Sequence, residues 1–182
     1  MQEEKKVVHR DSKIPNIVDG LWNEDITVNS YGSTEQYREH VFEQYKIFVE
    51  MADRVSSRRN LANTFFLTLH TFLISAAGFL YEKGPTVNNS WLNIFPLIAV
   101  LALCYVWYRL LLSYRQLNSA KFKVIGEYEK ILPSSPYWSA EWNAMGKGKN
   151  PKLYRPLTDV EQYVPMIFAV LYIGAFVMLL FT

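Results

Sequence analysis

The chain has 182 residues, a formal charge of +2 and a single cysteine, Cys104. That charge is too small for the basic face that nucleic-acid binding requires, and one cysteine excludes both an intrachain disulfide and a cysteine-built zinc site. A mean hydropathy of -0.02 hides an uneven distribution, because apolar residues concentrate in three blocks while charges fill the remainder.

Residues 1–33 read as a flexible cytoplasmic arm, polar and irregular, with Pro15 and Gly20 and no lasting period. Met1 to Lys13 is charged with no apolar run behind it, so the first span is expected to serve as the insertion signal. Ser33 and Gln36 match a capping box that opens a cytoplasmic helix over 34–60. Within it Val41, Tyr45, Phe48, Ala52 and Val55 step by 4, 3, 4 and 3, which holds one apolar seam against a partner helix. That seam is expected both to zip against the second cytoplasmic helix and to join protomers as an oligomer seam.

The first apolar block, 61–81, contains no Asp, Glu, Lys or Arg. At about 1.5 Å per residue it crosses a hydrocarbon core of roughly 30 Å, and no breaker separates it from the preceding helix. An external loop at 82–90 leads to a second span at 91–112, which carries Arg109 near one end. A cytoplasmic helix at 113–133 continues this span and stops at Pro133. The segment 134–163 is a Trp-, Pro- and Gly-rich cytoplasmic loop, either a packed cap or an interaction surface. Within it, Thr158 and Glu161 form a second capping-box pattern before a third span at 164–182, where Pro165 sits near the start. The fold class is thus all-α integral membrane: three transmembrane helices, the first two extended into a cytoplasmic helical bundle.

Lys and Arg near the span ends set the orientation. Arg54, Arg58 and Arg59 precede the first span; Arg109, Arg115, Lys121 and Lys123 close or follow the second; Lys147, Lys149, Lys152 and Arg155 precede the third. The connection 82–90 carries only Lys83, so the N-terminus is expected in the cytoplasm and the C-terminus outside. Tyr81, Trp91, Trp107 and Tyr108 fit interfacial aromatic belts, and Arg109 reads as a snorkelling anchor.

One face of the first span is small and partly polar: Thr64, Thr68, Thr71, Ser75 and Gly78 recur at helical spacing. Such a face either packs helices closely or lines a narrow pore in an oligomer. His70 neighbours it and is expected to hydrogen-bond within the bundle. Catalytic signals are absent: His9, His40 and His70 lack metal spacing, and Gly146 to Asn150 lacks the strand and helix of a phosphate loop. The chain therefore reads as a non-enzyme with no cofactor. Lys147 and Lys149 read first as solvated loop charge and second as contacts to anionic lipid headgroups. Asn88-Asn89-Ser90 fits a glycosylation acceptor, relevant only in a eukaryotic secretory pathway.

The run EQYKIFVEMADRVSSRRNLANTFFLTLHT, residues 43–71, resembles the RipA family of octameric bacterial membrane proteins. Residues 113–133 are similar to the segment after that family's second span, and 157–165 also fit its pattern. The resemblance implies a bacterial inner membrane and a homo-oligomeric ring. SLATT-type two-span proteins look similar too, through an Arg-rich entry to the first span. Their likeness implies a pore-forming effector of nucleotide-triggered phage defence, although the third span departs from their pattern.

Two functions follow as expectations. In the first, a homo-oligomer controlled by its cytoplasmic helices opens a pore or disrupts the bilayer, with Thr64, Thr68, Thr71 and Ser75 as lining and Arg54, Arg58 and Arg59 at a cytoplasmic mouth meeting lipid phosphates or an anionic signal such as a nucleotide. In the second, a non-conducting scaffold organises lipids or recruits a cytoplasmic protein through Trp138 and Trp142.

Overall fold

The computed structural model describes residues 17–83, 94–154 and 156–181. Residues 1–16 with His9, the connection 84–93 with Trp91 and the Asn88-Asn89-Ser90 acceptor, Arg155, Thr182 and the side chains of Asp19, Tyr81, Lys83 and Thr158 lie outside the described residues. The described residues are helical without strands: α1 Val18–Leu21, α2 Thr34–Lys83, α3 Ile94–Glu129, α4 Trp142–Ala144, α5 Leu157–Glu161 and α6 Tyr163–Leu180. Three of these helices (α2, α3 and α6, the last joined to the end of α5) are long and apolar enough to cross a membrane.

α2 is one helix of 50 residues, about 75 Å long at 1.5 Å per residue, so the boundary at Asn60 is uninterrupted. Its start is capped as expected: Ser33 Oγ accepts the Gln36 backbone N–H at 3.1 Å. α3, with 36 residues, also runs from an apolar half into a polar one. It ends at Glu129, earlier than the predicted stop at Pro133, in a turn closed by the Ile131 N–H on the Tyr128 carbonyl.

The two polar halves pair through the seam read from the sequence. Val41, Tyr45 and Ala52 bury against Ile125 and Tyr128, with Phe48 beside them, and Val55 is buried as well. The seam is therefore filled inside one chain. The expectation that it joins protomers is corrected, because α3 already covers the stripe.

The arm is corrected in part as well. Residues 17–33 dock rather than dangle: Leu21 and Trp22 pack on the same core, and the Trp22 ring meets the Tyr128 ring edge-on at 5.3 Å. In the apolar halves Phe66, Trp107 and Leu111 form a second core, closed by Val164 and Phe168 of α6.

The predicted loop 134–163 carries its own structure, a π-helical turn at Pro136–Glu141 followed by α4, a 3-10 turn at Gly146–Gly148, and α5. Thr158 lies inside α5, which begins at Leu157, so it cannot be the N-cap of the third span. Glu161 is drawn away to an arginine instead.

Candidate functional site

The apolar half of α2 presents two contrasting faces. Asn63, Phe66 and His70 turn toward α3 and α6, whereas Thr64, Thr68, Thr71, Ser75 and Gly78 are all exposed. At about 100° per residue the second set is centred roughly 125° round the helix from the first. Within the protomer the stripe packs on no other helix; a Cβ added at Gly78 would meet no atom within 4 Å. Thr71 donates its hydroxyl to the Leu67 carbonyl at 2.8 Å and Ser75 donates to Thr71 at 2.9 Å, so both are satisfied by their own helix.

The inner face carries a polar thread that spacing alone did not reveal. His70 is fully buried. Its Nδ1 lies 2.9 Å from the Tyr172 hydroxyl, which donates its one proton to the His70 carbonyl at 3.3 Å. On the other side of the ring, Nε2 lies 3.9 Å from the Cys104 thiol. Trp107 Nε1 donates to Asn63 Oδ1 at 3.1 Å, while its ring stacks between Phe66 at 5.7 Å and His70 at 5.5 Å. Trp107 is thus a core residue with no exposed surface, and its assignment to an aromatic belt is corrected. The expected hydrogen-bonding role of His70 matches its contacts. Among the described residues no group of three or more His, Cys, Asp or Glu side chains could hold a metal ion.

Where the apolar halves meet the polar ones, α5 is tied down by ions. Arg59 lies 3.4 Å from the nearly buried Glu161, and Arg115 pairs with Asp159 at 2.9 Å. The arginines read as a cytoplasmic mouth therefore separate. Arg59 is an internal staple, Arg54 pairs with Glu50 at 2.7 Å on the surface, and Arg58 is exposed.

At the far end of α3 the nearly buried Glu129 organises the Trp-rich segment. It accepts from Tyr45 Oη at 3.2 Å, Ser135 Oγ at 2.6 Å, and the backbone N–H groups of Tyr137 and Trp138 at 3.0 and 2.8 Å. A carboxylate at a helix C-terminus opposes the helix dipole, and these four donors offset that cost. Burial first, and the Glu129 charge second, push the Tyr45 hydroxyl up to about 12. Burial raises Tyr128 too. The sequence marks Glu129 only by its place four residues before Pro133.

The Trp138 ring lies against Gly126, where an added Cβ would come within 2.6 Å of it, and Trp142 covers Gly148. Gly146, Lys147 and Gly148 all have positive φ, at 64°, 55° and 68°, which lets the chain fold back beneath that ring. The segment is a packed cap, yet Trp138 and Trp142 stay 45% and 42% exposed.

A family model described as the octameric membrane protein family (8xMP) matches residues 42–181. That span is more than half of the chain, and the chain belongs to this family. The match includes all three segments whose pattern resembled RipA, but neither RipA nor SLATT forms part of its description. No curated protein and no solved structure matches.

Proposed function

We propose that the chain, as a member of the octameric membrane protein family, forms a closed ring in which α2 is the inner wall and its Thr64, Thr68, Thr71, Ser75 and Gly78 face lines a pore. The paired polar halves of α2 and α3 form a cytoplasmic crown that controls the opening. The membrane is a bacterial inner membrane, with the N-terminus in the cytoplasm and the C-terminus outside. The proposal assigns no catalysis. One observation carries it: the hydroxyl face is exposed and turned roughly 125° from the face that packs on α3 and α6. Lipid adds no partner beyond their own helix for these hydroxyls, whereas a water-filled lumen does.

A second reading has its own support. The hydroxyls of Thr71 and Ser75 are satisfied by their own helix, as suits a closely packed, non-conducting scaffold, and the half-exposed Trp138 and Trp142 offer a docking surface. Ion flux through the purified protein in liposomes separates the two. The pore reading expects flux that a Thr68→Leu/Thr71→Leu variant loses while its assembled mass is unchanged. A wild-type ring that conducts nothing leaves the scaffold.

A further inference from the structure

The polar half of α2 exposes two flanks of different character. On one, Val49, Asp53 and Ser56 form an open groove of about 280 Å³ with Phe122 and Ile125 of α3 and Tyr137 of the cap. Phe122 and Tyr137 give it an aromatic wall, their rings 6.5 Å apart and inclined by 58°, and Asp53 puts an exposed carboxylate at the rim. The other flank carries Arg58, which is exposed, and Ile47, which is 57% exposed although it lies well before the apolar half. Ile47 thus adds apolar area to the flank that carries the Arg58 charge.

Identical chains that close a ring must use two different patches, one on each side of the subunit. In an eight-membered ring those patches face directions about 135° apart. Asp53 and Arg58 project about 140° apart around α2, five positions along it. Subunits related by an axis along the membrane normal also meet at equal depth. Asp53 and Arg58 differ by only about 7.5 Å along the helix, within the reach of an arginine side chain. The chemistry matches as well, because a carboxylate beside two aromatic rings suits a planar guanidinium.

We infer that the groove formed by Asp53, Phe122 and Tyr137 in each protomer receives the Ile47 and Arg58 flank of a second copy, and that this is the repeating contact of the ring. The inference rests on the ring reading above and deepens it. The narrower angle between the two flanks opens on the side of α2 that carries Thr68 and Ser75, so the same contact turns the hydroxyl face inward.

The test uses full-length protein extracted from membranes with its ring preserved. Asp53→Cys and Arg58→Cys are made singly and together, and treated with a short bismaleimide; the buried native Cys104 serves as the background control. The double variant is expected to give a ladder of cross-linked species, while co-expressed single variants with different tags give mixed dimers only. Charge exchange supplies a second readout by native mass spectrometry. Asp53→Arg and Arg58→Asp should each lose most of the ring, and the two together should restore it. A wild-type ring with neither ladder nor rescue would overturn this contact and leave the ring standing. A wild-type monomer or dimer would overturn the ring reading and this contact with it.

Discussion

The Tyr172 hydroxyl holds His70 at two points, 2.9 Å from Nδ1 and 3.3 Å from the backbone carbonyl. A residue of α6 thereby fixes the ring orientation of a residue on α2, and the imidazole passes that order to Cys104 on α3. Three helices that apolar packing alone would leave free to slide are set in one register.

Tyr172→Phe removes the hydroxyl and strands Nδ1 in an apolar core. An unsatisfied buried polar group costs about 1–3 kcal/mol, so the thermal midpoint of the detergent-solubilised protein should fall. His70→Phe/Tyr172→Phe should cost less than the sum of the two single changes, because the double variant leaves no orphan. A double-mutant cycle on the melting curves checks this; strict additivity would show that the contact contributes nothing.

Tyr45 sets a stability limit at high pH. Its folded hydroxyl is pushed up to about 12, above the ordinary tyrosine value of 10.0, so the unfolded chain releases that proton first. The stability it provides is intact below pH 10 and is lost as pH rises from there through the folded value. Melting curves between pH 9 and pH 12 should steepen their decline in this window, and Tyr45→Phe should flatten part of it. Tyr128, raised by burial beside it, accounts for a remaining slope.

Gly126 is a docking notch for the Trp138 ring. With Cβ placed 2.6 Å from that ring, Gly126→Ala forces the indole off the helix. The variant should show red-shifted tryptophan emission at Trp138, isolated by difference against Trp138→Phe. Limited proteolysis within Ser134 to Lys152 should accelerate. Unchanged emission would mean that the cap does not depend on this close approach.

The helical frame was legible because its signals are local. Apolar blocks nearly free of charges marked the spans, and the seam through Val41, Tyr45, Phe48, Ala52 and Val55 marked the inner side of the polar half of α2. What that side meets is not local. The stripe predicts an apolar partner equally well in the same chain or in another, and α3 turned out to be that partner. Trp107 failed for a related reason: an aromatic near a span end suits an interface, but a third helix covers it here. The hydroxyl face was visible as a period of small residues, yet its exposure depended on where α6 docks. Glu129 and Glu161 carried almost no signal, because a buried carboxylate is defined by donors that the chain brings from other segments.

The Arg59–Glu161 pair decides between two roles for the first-span arginines. A mouth arginine acts on passing ions, and neutralising it changes conduction without loosening the fold. Arg59 instead sits 17% exposed against a Glu161 side chain that is 8% exposed, and it clamps α5 to α2. Removing one member of a buried pair leaves an uncompensated charge and costs about 3–5 kcal/mol, whereas replacing both with apolar side chains is often neutral. Glu161→Met alone should therefore lower the melting midpoint sharply, and Arg59→Met/Glu161→Met should recover most of the loss. Arg58→Met, which removes one charge at an exposed position, should leave the midpoint of the dissociated protomer nearly unmoved. If all three variants melt alike while flux through liposomes falls only where Arg59 is lost, the staple is wrong and Arg59 returns to the mouth.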